Sequence, residues 1–172
     1  MNLLWKIKDQ PPQNFYKKFG KYPALVLNML WSRGIQSESE IRNFFHPQYP
    51  DDLSDPLRIK GMKKALLRIA QAAQKNERVL IYGDYDTDGV CGTIILKSLL
   101  EKLGIQSVEV YLPYREKEGY GLNEGAVRQF INEKYSLIIT IDCGTTSREP
   151  IELAGENNID TVVIDHHRVI DS

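Results

Sequence analysis

The sequence predicts an α/β fold with a doubly wound, mostly parallel sheet, preceded by a short helical segment. From residue 78 onward, short and mostly apolar runs alternate with stretches of helical periodicity. Such apolar runs are typical of parallel strands that are buried on both faces. The helical stretches between them are long enough to connect parallel strands across a sheet. We therefore divide the chain into a helical or irregular segment, 1–77, that packs on the core, and an α/β domain, 78–172.

The first segment contains three predicted helical regions. Residues 22–31 form an apolar stretch that ends before Gly34. Ser37, followed by Glu40 three positions later, predicts a capping box that opens a short helix. Residues 62–76 predict an amphipathic helix. Its apolar face comprises Ala65, Leu66, Ile69, Ala72 and Ala73.

The second segment alternates predicted strands and helices in order. The strands are expected at 79–82, 107–112, 137–141 and 161–164. The helices are expected at 90–103, 123–134 and 149–157. The helix 90–103 should end at Gly104, and the one at 123–134 should be capped by Asn123. We expect the first of these helices to bury Ile94, Ile95, Leu99 and Leu103.

Composition excludes several classes of protein. The hydrophobic fraction of 42% is enough to build a core, which argues against global disorder. No run approaches the ~18 apolar residues of a membrane span, and no secretory leader is evident. Cys91 and Cys143 are too few for a disulfide scaffold. We interpret them as reduced, small buried residues beside the site in a cytoplasmic protein with no membrane partner.

The charge distribution leaves two interpretations open. Residues 1–83 carry 14 Lys and Arg against 7 Asp and Glu, whereas residues 84–172 carry 8 against 16. Composition alone favours ordinary solvated faces. The alternative is that the acidic half holds cations while the basic half meets an anionic substrate.

Acidic clusters follow three of the four predicted strands. The first strand leads into the acidic motif 84–89, the third into Asp142, and the fourth into the triplet Asp165-His166-His167. In such sheets, ligands bind beyond the carboxyl ends of the strands. Converging carboxylates repel one another, and a divalent cation relieves that repulsion. Carboxylate and imidazole suit Mn²⁺, Mg²⁺, Zn²⁺ or Fe²⁺, and two such ions are a common device for hydrolysing phosphodiesters.

Each of these features also has an alternative interpretation. The motif 84–89 resembles the start of a calcium-binding loop, but position 12 of that loop would be Ile95, which excludes it. An acidic turn with Asp88 near the helix N-terminus remains open. The loop at Thr145 and Thr146 is either a phosphate cradle or an ordinary helix cap. Arg115 could clamp a phosphate and Tyr120 could stack on a base, or both could be solvated.

The acidic motifs together resemble the DHH phosphoesterase superfamily. The motif 84–89, the Asp142-Cys143-Gly144 triplet and the Asp165-His166-His167 triplet match its first three motifs in order. Upstream segments at 30–35, 44–47 and 55–57, together with 118–123, are similar to the RecJ family of bacterial exonucleases within it.

The resemblance implies metal-dependent 5′→3′ exonuclease activity on single-stranded DNA in repair and recombination, with two Mn²⁺ or Mg²⁺ ions. Single-strand-binding protein or a helicase would be partners. The implied metal ligands are Asp84, Asp86, Asp88, Asp142, Asp165 and His166. The implied catalytic residues are Asp86, Asp142, His166 and His167. Arg115, Tyr120, Thr145, Thr146, His167 and Arg168 would contact the substrate.

Two departures from the family pattern affect these expectations. Many members carry a His shortly before the first motif, where this chain has Tyr82. A fourth motif with another metal-binding Asp, and further domains, would follow residue 172. We therefore expect a truncated domain with little or no processive activity on its own. The alternatives are a phosphodiesterase for oligonucleotides or cyclic dinucleotides, and an inactive fragment that binds DNA or a partner.

Overall fold

The structure, a computed structural model, describes residues 8–168. Contacts divide the chain into two compact units, Met1–Arg58 and Ile59–Ser172. This division lies before the helix that begins at Met62, and the domain boundary after residue 77 remains a prediction. Within the described residues, no helix is both long and apolar enough to cross a membrane.

The first unit is helical. Its elements are α1 (Gln13–Lys18), α2 (Ala24–Trp31), α3 (Glu38–Phe45) and a 3₁₀ turn (Pro56–Arg58). The capping box predicted for α3 is confirmed, because Ser37 Oγ accepts from the Glu40 N–H and the Glu40 carboxylate accepts from the Ser37 N–H. A small core holds the unit together, formed by Phe15, Phe19, Leu27, Leu30 and Ile41.

The second unit contains the predicted α/β elements together with the helix that begins at Met62. Its elements are α4 (Met62–Lys75), β1 (Val79–Gly83), α5 (Thr87–Lys102), β2 (Val108–Tyr111), α6 (Arg115–Glu118), α7 (Glu124–Asn132), β3 (Leu137–Ile141), α8 (Arg148–Glu156) and β4 (Asp160–Ile164). The strands are all parallel, in the order β2-β1-β3-β4. The predicted fold class and its four strands are therefore confirmed.

Both faces of the sheet are covered. Val79 and Ile81 of β1 pack with residues of α4 and α5 on one face, in a core that includes Ala72 and Leu100. The alternate residues Leu80 and Tyr82 pack on the other face, in a core that includes side chains of α7 and α8. Because β1 is buried on both sides, its sequence is a continuous apolar run.

The predicted buried face of α5 is wrong. Gly89, Thr93 and Leu100 are the residues of this helix that are buried. A Cβ at Gly92 would lie 2.7 Å from Ile141 Cγ2, so the helix presents its small residues to the sheet at close range. The four residues predicted to be buried instead face away, with Ile94 60%, Ile95 70%, Leu99 50% and Leu103 56% exposed. The helix also begins three residues early, because Asp86 caps it.

Arg68 links α4 to the amino-terminal ends of β3 and β4. Its guanidinium donates to Glu77 at 2.6 Å, to Asp160 at 2.5 Å and to the Ser136 carbonyl at 3.1 Å. The side chains of Arg68 and Glu77 are each only 15% exposed. We expect Arg68→Met to lower the free energy of unfolding by about 2 kcal/mol, because it leaves Glu77 without its partner in a partly desolvated site. Urea denaturation followed by circular dichroism measures this loss.

A matched control for this change lies on α7. Arg128 pairs with Glu124 one turn away, and both side chains are more than half exposed. Arg128→Met should alter stability by less than about 0.5 kcal/mol. Equal losses for the two variants would contradict an anchoring role for Arg68.

Candidate metal centre

Two carboxylates of the first acidic motif lie at the carboxyl end of β1. Asp84 follows the strand directly, and its N–H donates to the Ile141 carbonyl at 3.1 Å. The residue is 5% exposed, and its Oδ1 atom is buried with no hydrogen-bond partner among the described residues. Asp86 caps α5, with Oδ1 accepting from the N–H groups of Asp88 and Gly89 at 3.0 Å each. A buried carboxylate oxygen without a donor is costly unless a cation neutralises it.

Asp142 follows β3 in a left-handed conformation, with φ of 61°. Its N–H donates to the Ile164 carbonyl at 2.9 Å, and the residue is 8% exposed. Burial raises the pKa of Asp142 above its ordinary value, and repulsion from Asp86 adds to the shift. The imidazoles of His166 and His167 oppose the shift.

The triplet after β4 brings two imidazoles to the same place. His166 Nε2 lies 3.1 Å from Asp142 Oδ1. Asp165 Oδ1 accepts from the His167 N–H at 3.0 Å and lies 2.7 Å from His167 Nδ1. Asp165 Oδ2 accepts from the Thr145 N–H at 3.0 Å.

Asp165 and His167 are an electrostatically coupled pair. Burial opposes ionisation of Asp165, yet hydrogen bonds from Thr145 and His167 hold the pKa of this carboxyl well below its usual range. The hydrogen bond to Asp165 in turn raises the pKa of His167. Asp165 is therefore an ionised carboxylate, its side chain only 2% exposed, with both oxygens occupied by neighbouring groups.

The side chains form two overlapping groups of possible metal ligands. One group consists of Asp84, Asp86 and Asp142, and the other of Asp142, His166 and His167. Within each group, one ligand atom per residue lies within 4.8 Å of the others. Asp142 belongs to both groups, so it is the residue that joins them.

The other predicted site residues are placed around these groups. Asp88 lines the adjoining groove together with Ile141 and Ile164, and belongs to neither group in the described part of the chain. Arg115 lies at the start of α6, with its guanidinium 5.3 Å from the centre of the Tyr85 ring. Thr146 and Arg168 are exposed.

Tyr120 enters the site through its hydroxyl, which contacts the Asp142 carbonyl at 3.0 Å and His167 Nδ1 at 2.9 Å. By contrast, Tyr82 is fully buried, and its hydroxyl donates to the Gly121 carbonyl at 2.9 Å. Tyr82 therefore does not take the place of the histidine found in other members. Of the two thiols, Cys143 is buried as predicted, whereas the prediction for Cys91 is wrong because this residue is exposed.

Sequence reasoning missed Tyr85 and the role of the glycines. Tyr85 lies inside the acidic motif, and only the structure shows that Arg115 stacks over it. A Cβ at Gly144 would lie 2.6 Å from Thr140 Oγ1, and the residue has φ of 106°. The glycine two residues after Asp142 was the signal for this constrained turn.

Comparisons with known proteins identify the family. The profile described as "DHH family, N-terminal domain" matches residues 78–172. The chain belongs to the DHH family. Its resemblance to RecJ is also confirmed, since it is 40% identical to the single-stranded-DNA-specific exonuclease RecJ of Bacillus subtilis and 36% identical to that of Thermus thermophilus. Each alignment covers 96% of this chain but only 21% and 24% of the relative.

Solved structures of DHH relatives share the fold. A crystal structure of exonuclease RecJ bound to manganese superposes with a TM-score of 0.64 at 33% identity, covering 70% of this chain and 31% of that one. RecJ from Thermus thermophilus in complex with Mn²⁺ gives a TM-score of 0.62 at 24% identity, covering 98% and 23%. The chain thus spans about a quarter of the length of the RecJ relatives it matches.

Proposed function

We propose that this chain carries the metal centre of a nuclease that hydrolyses phosphodiester bonds of single-stranded DNA. The observation that carries the proposal is the pair of ligand groups that share Asp142 at the carboxyl edge of the sheet. The relatives support it, since they are named single-stranded-DNA-specific exonucleases and two RecJ structures hold manganese. The 5′→3′ polarity and a role in repair and recombination belong to the same proposal.

The residues present fit divalent ions such as Mn²⁺ or Mg²⁺. The buried Asp84 Oδ1 has no donor among residues 8–168. Burial and the repulsion of Asp86 raise the pKa of Asp142, and a bound cation would oppose both effects. Ligation by the Cys143 thiolate is disfavoured, because burial raises the pKa of this thiol to about 12. Asp84, Asp86, Asp142 and His166 would hold two ions, with Asp88 as a further ligand.

Asp165 is open to two roles, direct ligation of a metal ion and orientation of a ligand, and its hydrogen bonds favour orientation. Both of its oxygens already accept hydrogen bonds, from His167 and Thr145. A carboxylate that orients a histidine is a common outer-shell partner in metal sites.

Bound divalent ions would supply an activated water and stabilise negative charge on the phosphate. The chain's own groups prepare the site for that chemistry. Hydrogen bonds from the first turn of α5 fix Asp86, and Asp165 fixes His167. His167 can then meet the scissile phosphate or a metal ion.

The substrate contacts are proposed around this centre. Arg115, held over the Tyr85 ring, would contact a phosphate of the DNA. The exposed Arg168 and Thr146 would make further contacts with the sugar-phosphate backbone of the DNA. Thr145 is the remaining proposed contact; its N–H and its side chain both hydrogen-bond Asp165, so it would meet the substrate beside that carboxylate. A DNA substrate and two free thiols are consistent with the proposed cytoplasmic location. Single-strand-binding protein or a helicase would be the partners.

Metal titration and a DNA assay test the proposal. Isothermal calorimetry with Mn²⁺ should show saturable binding to the metal-free chain. A 5′-labelled single-stranded oligonucleotide should then be cleaved slowly in Mn²⁺ and not in EDTA, and the matching duplex should be spared. Absence of metal binding, or faster hydrolysis of linear or cyclic dinucleotides than of the long strand, would overturn the proposal.

A further inference from the structure

Tyr120 lies in the bent segment between α6 and α7. Gly119 and Gly121 on either side of it have φ of 76° and 86°, in the left-handed region that favours glycine. The buried Tyr82 hydroxyl donates to the Gly121 carbonyl, which anchors the bend to the core. Tyr120 therefore lies at the metal centre in a segment whose position is fixed by a hydrogen bond to the buried core.

The hydrogen-bond inventory determines the direction of each bond around Tyr120. The Asp142 carbonyl can only accept, so the single hydrogen of the Tyr120 hydroxyl is donated there, over 3.0 Å. The hydroxyl oxygen must then accept from His167 Nδ1, over 2.9 Å. Asp165 Oδ1 lies 2.7 Å from the same nitrogen and already accepts from the His167 N–H, so it is a second acceptor that shares the single Nδ1 hydrogen with the Tyr120 oxygen. The Nδ1 atom of His167 therefore carries a hydrogen.

We infer that Tyr120 is a positioning residue that, with Asp165, holds the His167 ring in the Nδ1–H form. Only Nε2 of His167 is then open to a metal ion in the group that this residue forms with Asp142 and His166. The same hydroxyl ties the ring to the left-handed backbone of Asp142, and the two rings meet edge-on at 5.5 Å and 72°. This inference rests on the proposed function, and it adds a role for a tyrosine whose ring alone would suggest base stacking.

Nuclear magnetic resonance of the metal-free chain tests the positioning role directly. In ¹⁵N-labelled wild-type chain, at a pH where the ring is neutral, His167 Nδ1 should give the shift of a protonated nitrogen and Nε2 that of an unprotonated one. Tyr120→Phe removes only the hydroxyl and should displace both ring shifts. Tyr114→Phe is the control, because Tyr114 is 73% exposed and its hydroxyl has no partner within residues 8–168. An Nε2–H form in wild type, or unchanged His167 shifts in Tyr120→Phe, would overturn the inference.

Manganese affinity provides a second readout. Loss of an outer-shell partner of a ligand commonly weakens metal binding by about 10-fold or more, and we expect that loss for Tyr120→Phe but not for Tyr114→Phe. In a His167→Ala background the effect of Tyr120→Phe should largely disappear, because the two residues act together. Wild-type affinity in Tyr120→Phe, or penalties that simply add, would contradict the inference. Failure of the wild-type chain to bind Mn²⁺ would instead overturn the proposed function, while the ring shifts still decide the positioning role.

Discussion

Asp142→Asn should abolish saturable Mn²⁺ binding, because this carboxylate is the one residue common to both ligand groups. The substitution keeps the size of the side chain and removes its charge. We expect the affinity measured by calorimetry to fall by at least about 100-fold, the upper end of the loss seen when an outer-shell partner is removed. Asp51→Asn, at an exposed position in the other unit, makes the same chemical change and should leave the affinity unaltered.

The same variant should be more stable than wild type when no metal is present. Burial and repulsion from Asp86 raise the pKa of Asp142, so its ionised form is disfavoured in the folded chain at neutral pH. Neutral asparagine removes that penalty, and it tolerates the φ of 61° at this position. Thermal unfolding at pH 7 should therefore give a higher Tm for Asp142→Asn. A lower Tm accompanied by lost Mn²⁺ binding would mean that the site failed through misfolding rather than through loss of a ligand.

The strands could be predicted because their burial leaves a simple pattern in the sequence. β1 and β3 are buried on both faces, so each is a short and nearly continuous apolar run. The caps were equally clear, since Ser37 and Asn123 both accept from backbone N–H groups of the first helical turn. These are local signals, and each is decided within a few residues of where it occurs.

The orientation of α5 could not be predicted for a physical reason. Its sequence is apolar around most of its circumference, so periodicity offers no single face. What decides the orientation is close approach to the sheet at Gly89 and Gly92, which for Gly92 depends on Ile141, far away along the chain. Small size at Gly89 and Gly92, together with burial of Leu100, selects the contact face, and the hydrophobic pattern alone does not identify it.

The residues of the candidate site could be predicted better than the contacts between them. Parallel strands bring their carboxyl ends to one edge, which is why Asp84, Asp142 and Asp165 could be grouped from the sequence. Which carboxylate faces the groove and which binds a histidine depends on side-chain direction. Thus the carboxylate of Asp165 is hydrogen-bonded to His167 and Thr145, whereas Asp142 belongs to both ligand groups.

Gly89→Ala should both destabilise the fold and disrupt the site. A Cβ at Gly89 would lie 2.4 Å from the Asp84 carbonyl oxygen and 2.7 Å from the Asp84 backbone C and N atoms. These are backbone atoms, which cannot rotate out of the way as the end of a flexible side chain could. Helix α5 must therefore move away from the end of β1. We expect a loss of about 3 kcal/mol in the free energy of unfolding, at the upper end for overpacked cores, measured by urea denaturation. Mn²⁺ binding should weaken as well, because Asp84 and Asp86 lie in the turn that must shift.

Gly155→Ala provides the matched control for this prediction. Gly155 lies within α8, and apart from its chain neighbours and the nearby backbone of its own helix, no heavy atom of the described chain would come within 4 Å of an added Cβ. Its φ is not positive, so alanine should stabilise the domain by about 0.4–1 kcal/mol through a smaller entropy of the unfolded chain. Opposite signs for the two glycines would show that the glycine of the acidic motif is required by contact with the Asp84 backbone. If Gly89→Ala unfolds at the same urea concentration as Gly155→Ala and binds Mn²⁺ normally, that contact does not hold α5 in place.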